Sequence, residues 1–278
     1  MLRVITDTTC NLPPELIAAH HIPTAPIAIQ FGEQGYDEFI NLDRDLFYRR
    51  IQETGTIPTT SQPSPAWFAE QYRLAAQARL PVLVITVTSK HSGTHHSALL
   101  ARSLVPEADV EVFDSASISL GTGWMVLEAA EMAARGATRS AILQRLGAIR
   151  RNSHLYLTPA TLKYLQMSGR VGKLQGALAS VLDVKPIIIL QDGVLEAREN
   201  VRTRTKALER LVALAQAAAG SAPVRMGIVH ARAPEEGRKL LEMVTARLNC
   251  EAVLMEDLVP SLAVHGGPGV LGLAFHTL

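Results

Sequence analysis

Short apolar runs rich in valine and isoleucine recur along the first half of the chain, with helical patterns between them. Residues 2–6, 82–87 and 110–113 have the length and β-branched content of buried strands. The segments 13–20, 97–104, 123–134 and 139–150 carry helical signals instead. Strands alternating with helices predict a largely parallel sheet covered on both faces, a three-layer α/β/α arrangement.

The second half repeats the style with different spacings. Residues 186–190 read as a strand, and Gln191-Asp192-Gly193 after it is a turn sequence suited to a hairpin. Residues 205–219 predict a helix with Leu208, Leu211, Val212 and Ala215 on one face. Runs at 225–230, 252–255 and 270–275 complete a second sheet, expected to be mixed. A boundary falls near 155–162, which divides the chain into an N-terminal α/β domain, 1–158, and a C-terminal α/β domain, 159–278. The most apolar stretch, 177–190, is interrupted by Asp183, Lys185 and Pro186, so it predicts no membrane span.

Composition narrows the function classes. Hydrophobic residues make up 47% and charged residues 19%, the balance of a globular protein. With 27 basic and 26 acidic residues, the net charge of +1 offers no electrostatic ground for nucleic acid as a main partner. Arg198, Arg202 and Arg204 form one local basic cluster. The two cysteines, Cys10 and Cys250, are too far apart for a zinc cluster or a disulfide framework, which points to a reducing, cytoplasmic setting. Charge arrives by Asp7, so the first residues read as a strand rather than a leader.

Three predicted strands end in hydroxyl or carboxyl residues: Asp7-Thr8-Thr9, Thr88-Ser89 and Asp114-Ser115. Ligands of open α/β sheets bind outside the carboxyl ends of their strands, although such residues also cap helices. The segment from Ser89 to Ser97 contains Ser92-Gly93-Thr94 between a strand and a helix. Hydroxyls and free N–H groups at a helix start suit an oxyanion, and glycine lets a ligand approach the backbone. Thr59-Thr60-Ser61-Gln62-Pro63-Ser64-Pro65 is a second, proline-stiffened segment rich in hydroxyl donors. His91 and His95 are four apart, but Ser92-Gly93 interrupts a helix between them and no third ligand is evident, so no metal is expected. His265-Gly266-Gly267-Pro268-Gly269 reads as a tight turn into the last strand, since the chain has no GxSxG nucleophile elbow for a lipase-type oxyanion segment to serve. Arg170, after Ser168-Gly169, either satisfies helix-end carbonyls or faces an anion.

Taken in order, these segments resemble the DegV family. The resemblance runs from Val4-Ile5-Thr6-Asp7-Thr8-Thr9 through Pro58-Thr59-Thr60-Ser61-Gln62-Pro63-Ser64, Ser92-Gly93-Thr94, Asp114-Ser115 and Gly121-Thr122-Gly123. It continues with Thr161-Leu162-Lys163-Tyr164-Leu165, Gly169-Arg170-Val171, Lys185-Pro186-Ile187, Asp192-Gly193, Val201-Arg202-Thr203 and His265–Gly269. It implies a DegV-like two-domain fold that buries one long-chain fatty acid, palmitate or a relative, with no other cofactor. By position, the carboxylate falls to Thr60, Ser61, Ser92, Gly93 and Thr94, with Arg170 and His265. It also implies a partner, a separate fatty acid kinase that converts the carboxylate to an acyl phosphate, with Arg202 in the docking region. The sequence departs from the family pattern at His91, at His95 and His96, and at Ser168.

The energetics are compatible with a lipid. Burying about 14 methylenes at ~0.8 kcal/mol each gives roughly 11 kcal/mol. Association and ordering take several kcal/mol of that, leaving affinity near the micromolar range or tighter. The carboxylate needs matched donors, because a buried unpaired charge is costly. Two other readings share these residues: a serine-dependent acyl or phosphoryl transferase using Ser92 with His265 as base, and a binding protein for another carboxylate metabolite.

Overall fold

The computed structural model describes residues 2–170 and 184–278. The expected apolar stretch at 177–190 therefore lies outside the described residues as far as 183, as does Val171. The described residues form two compact units. The first takes in the residues up to Ile118, Thr122–Arg151 and Val259–Ser261, and the second takes in the rest.

The first unit runs β1 (Arg3–Asp7), α1 (Pro14–Ala19), β2 (Thr24–Ala25), β3 (Ala28–Phe31), β4 (Gln34–Asp37), α2 (Arg44–Thr54), β5 (Thr59–Ser61), α3 (Pro65–Gln77) and β6 (Val82–Thr86). It continues with α4 (Thr94–Leu104), β7 (Val110–Asp114), α5 (Leu120–Ala134) and α6 (Arg139–Asn152), of which Leu120, Gly121 and Asn152 belong to the second unit. Its main sheet has the order β2-β1-β6-β7, with every pairing parallel. All five residues of β6 are buried, as they must be when both faces of a parallel sheet are covered. One face packs Ile5, Val82, Val84 and Val110 against Phe68 and Tyr72 of α3 and Ala98 and Ala101 of α4. The chain enters α3 through Ser64, whose hydroxyl accepts from the Trp67 N–H, with Pro65 next in the first turn.

A second sheet in this unit, with the order β4-β3-β5, is antiparallel. The hydrophobic pattern does not predict it. Its strands are three or four residues long and include Gln34-Gly35-Tyr36-Asp37, which is largely exposed and has no alternation to detect.

The second unit contains β8 (Ser153–Thr158), α7 (Lys163–Met167), β9 (Lys185–Gln191), β10 (Val194–Val201), α8 (Arg204–Ala219) and β11 (Val224–His230). Next come α9 (Pro234–Thr245), β12 (Cys250–Asp257), α10 (Pro260–Gly266) and β13 (Leu271–Thr277); the first two residues of α10 belong to the first unit. Its sheet has the order β10-β9-β8-β13-β11-β12 and is mixed, β11 and β12 being its one parallel pair among the described residues. Asp192 and Gly193, both at positive φ, close the β9–β10 hairpin. Leu208, Leu211, Val212 and Ala215 of α8 pack with Leu240 and Val244 of α9 on Met226, Ile228, Leu273 and Phe275. The protein is thus α/β, with a parallel sheet in one unit and a mixed sheet in the other. No helix among the described residues is long and apolar enough to cross a membrane.

Candidate functional site

In the main sheet of the first unit, β1 is followed in sequence by β2 on one side, and β6 and β7 extend the other. The strand order therefore reverses direction between β1 and β6, and the carboxyl edge at such a point is where open α/β sheets bind ligands. Asp7 closes β1 there. One of its carboxylate oxygens accepts from the Val87 N–H at 3.0 Å, just past β6, and the other accepts from the N–H and hydroxyl of Thr9. Burial pushes the Asp7 pKa up, against the pull of these donors. Asp114, at the end of β7, accepts from the N–H groups of Ser89 at 3.2 Å and Ala116 at 2.9 Å. The two carboxylates thereby hold the first part of the loop that follows β6, at Val87 and Ser89, to the ends of β1 and β7.

That loop carries Ser92, Gly93 and Thr94. The Ser92 hydroxyl lies 2.9 Å from the Thr94 hydroxyl and accepts from the Thr94 N–H at 3.3 Å, so the first residue of α4 is held by the serine before it. Thr94 is buried, while Ser92 and Gly93 are half-buried. Gly93 packs against the Gln62 side chain. A Cβ at Gly93 would stand 2.9 Å from the Gln62 Cδ, so the Gln62 amide lies directly on the Gly93 backbone. The two hydroxyl-bearing segments singled out in the sequence therefore meet through Gln62 and Gly93. In β5, Thr60 pairs with Ile29 and Ser61 with Ala28. Successive strand residues face opposite sides, and of the two, Thr60 is the half-buried one.

His95 lies with its Nδ1 3.3 Å from the Thr86 hydroxyl at the end of β6, and His96 is exposed. No group of three or more metal-ligating side chains exists among the described residues.

In the second unit, Arg170 follows α7 and its Nη1 donates to the Ser168 carbonyl at 2.7 Å, so it caps the helix end. Capping a carbonyl and holding an anion are compatible roles for a group with five donors. His265 is half-buried in the last turn of α10. The turn beyond it is the expected entry to the last strand, with Gly267 and Gly269 at φ +74° and +80°. A Cβ at Gly267 would overlap the Tyr164 ring, so Tyr164 of the Thr161–Leu165 segment lies on this turn. Arg204 secures the same turn, donating to the carbonyls of Gly269 at 2.5 Å and Thr158 at 3.3 Å while paired with Glu236 at 2.8 Å. Arg202 is exposed.

Sequence reasoning missed a buried polar group beside the first unit's site. Glu38, just past β4, is 1% exposed and accepts from the Ser261 N–H at 2.6 Å and hydroxyl at 2.8 Å. Burial pushes its pKa up to about 7 despite these bonds and one from Thr8. Cys10 is buried close by, its thiol pushed up to about 12 by burial, with Asp7 and Glu38 adding to the shift. Asn11 reaches the same segment, its side-chain oxygen accepting from the Val259 N–H at 2.8 Å. The partners stand 223 and 248 residues apart, so no local signal marks them.

Comparison with known proteins gives a consistent set of relatives. The family model described as "Uncharacterised protein, DegV family" matches residues 1–278. Protein DegV of Bacillus subtilis is 32% identical over 276 residues, covering 99% of this chain and 98% of its own. A DegV family protein from Thermus thermophilus, solved as a study of fatty acid binding, superposes with a TM-score of 0.92 at 32% identity, covering 100% of this chain and 99% of that one. A stearic acid-binding protein from Eubacterium ventriosum superposes with a TM-score of 0.89 at 26% identity, covering 100% and 98%.

Proposed function

The chain belongs to the DegV family, and from that premise we propose that it binds one long-chain fatty acid of the palmitate–stearate class and carries it without turning it over. The carboxylate is assigned to the Thr60 and Ser92 hydroxyls, with Ser61 at the end of β5 and the backbone of Gly93 and Thr94 beside them. The observation that carries this reading is the contact between Gln62 and Gly93, which joins two hydroxyl-bearing loops at the carboxyl edge of a parallel sheet. The ligand class is supported by the fatty acid binding of the Thermus thermophilus and Eubacterium ventriosum proteins. The Ser92 hydroxyl pairs with Thr94, an arrangement suited to binding an oxyanion.

Arg170 and His265 are proposed as further ligands of the carboxylate on the strength of the family resemblance. In the same reading the protein is cytoplasmic and presents the acid to a fatty acid kinase, with the exposed Arg202 on the docking surface.

Native mass spectrometry of the freshly purified protein, repeated after denaturation, tests the ligand. A single added mass matching a long-chain fatty acid, lost on denaturation, is expected. A mass that persists denotes an acyl-enzyme and overturns the carrier reading. No added mass, with no uptake of offered palmitate or stearate, overturns the ligand. Ser92→Ala combined with Arg170→Ala is expected to lose most of the bound lipid while the circular dichroism spectrum stays unchanged; undiminished lipid content refutes the site.

A further inference from the structure

The sheet of the second unit ends in two strands whose outer sides are built differently. Its order is β10-β9-β8-β13-β11-β12, so β10 and β12 are its edges among the described residues. An edge strand offers N–H and carbonyl groups to any extended chain that meets it, and proteins commonly blunt such edges with charges, prolines or bulges. β10 is blunted in this way. Glu196, Arg198 and Glu199 fall along it, and its register with β9 shifts between Ala197 and Glu199.

β12 is not. It is eight residues long and, among the described residues, pairs with β11 alone, in parallel. Its register shift lies at the start, where Val224 pairs with Cys250 and Arg225 with Ala252. From there Ala252-Val253-Leu254-Met255 runs without a charge, a proline or a further bulge, and all four residues are half-buried. Val253 and Met255 pack on the core that α8 and α9 cover, and Leu254 between them faces the other side of the sheet. Every second residue of the run turns its N–H and carbonyl away from β11, so the outer side carries an apolar ladder.

Acids mark both ends of this run and decide which chain fits it. Glu251 is exposed just before it, and Glu256 and Asp257 follow it. A second copy of the chain would pair antiparallel about a two-fold axis. The register that lays the four apolar residues on one another then sets Glu251 opposite Glu256 at each end, and like charges placed opposite destabilise a ladder. A strand with an apolar middle and basic ends meets no such opposition and gains an opposite-charge pair at each end.

We propose that the outer edge of β12 is a docking surface for an extended segment of a partner protein, which joins the sheet as a further strand, apolar in its middle and carrying lysine or arginine at both ends. In this mode the main-chain hydrogen bonds supply adhesion and the side chains supply selectivity. The surface is distinct from the one at Arg202, which follows β10 at the opposite edge of the same sheet. It does not depend on the fatty-acid reading.

The test titrates the full chain with a short synthetic peptide of alternating valine and threonine ended in lysine on both sides, and with the same peptide ended in glutamate. Fluorescence anisotropy of the labelled peptide reads affinity, and amide hydrogen exchange followed by NMR reads the place. The lysine-ended peptide is expected to bind and to slow exchange at every second amide of 252–256. The glutamate-ended one is expected to bind about tenfold more weakly or worse. Of two lysine-ended peptides N-methylated at alternate residues, the one whose methyl groups meet β12 is expected to lose binding and the other to keep it.

Leu254→Lys, which sets a charge in the middle of the edge, is expected to abolish binding with the thermal unfolding midpoint unchanged. The methylated peptides test the same ladder without touching the fold. Failure of the lysine-ended peptide to bind, equal binding of the lysine-ended and glutamate-ended peptides, binding by both methylated peptides, or protection away from β12 overturns the proposal. Protection of β12 that grows with protein concentration in the absence of peptide, with a dimer in sedimentation, assigns the edge to a second copy and overturns the partner.

Discussion

The stability of the first unit should depend on pH through Glu38 in a way that one substitution isolates. In the unfolded chain this carboxyl titrates near its ordinary 4.5, and in the folded protein near 7. The folded state therefore holds its proton more tightly. The stability this contributes is fully present below about pH 4.5 and is lost as pH rises through 7. A difference of about 2.5 pK units at ~1.4 kcal/mol each amounts to roughly 3 kcal/mol between pH 4.5 and 8. Glu38→Gln removes that dependence but leaves one acceptor for the two donors of Ser261, a loss of about 1–2 kcal/mol at every pH. The variant is thus expected to be the less stable protein at pH 5 and the equal or better one at pH 8. Urea unfolding followed by tryptophan fluorescence measures this directly, because both tryptophans, Trp67 and Trp124, belong to the same unit as Glu38. Asp7 shifts in the same direction and is present in both proteins, so only its repulsion with Glu38 enters the comparison. A difference in unfolding free energy that stays flat from pH 5 to 8 would refute the reasoning.

Other consequences are as open to measurement. Gly267→Ala places a Cβ on the Tyr164 ring at a positive φ, and is expected to destabilise the protein by about 1–3 kcal/mol. Pairing it with Tyr164→Ala should recover part of that loss in thermal unfolding, since the clash then has no partner. Arg204→Met frees the Glu236 carboxylate and the carbonyls of Gly269 and Thr158, and is expected to lower stability by about 2 kcal/mol or more in denaturant titration. Cys10 is 2% exposed with its thiol held protonated, whereas Cys250 is half-buried; a thiol reagent at pH 8 should therefore modify Cys250 first and reach Cys10 only on unfolding.

The parts of the fold that could be read along the chain are those whose burial is written locally. β6 announces itself because a strand covered on both faces is an unbroken apolar run, and β1 and β7 through the β-branched pairs Val4-Ile5 and Val110 with Val112. α8 does so because its apolar stripe keeps helical spacing. α9 was open to the same reading: Pro234 with Glu235 and Glu236 marks its first turn, and Leu240 and Val244 share a face. α2 was harder, with Phe47 and Tyr48 its only buried residues, although Asp43 caps its start and Gly55 its end. β4 and β5 had no usable signal, because short, largely exposed strands need no hydrophobic period, and β3, although it buries Ile29 and Phe31, is only four residues long.

The sequence alone carried the α/β class, the two loops bearing Thr60, Ser61, Ser92 and Thr94, and the turn at Gly267 and Gly269. Each of these depends on neighbours a few residues away, through side-chain spacing, helix capping or the steric freedom of glycine. Tertiary structure decided which of those pieces touch. It set Gln62 against Gly93, Tyr164 on Gly267, Arg204 across Gly269 and Thr158, and Glu38 under Ser261. A hydrogen bond spanning 223 residues leaves no periodicity, because its partners are related only through the path of the folded backbone. The pKa of Glu38 belongs to the same class of fact: it is set by the water that folding excludes and by the donors that folding brings.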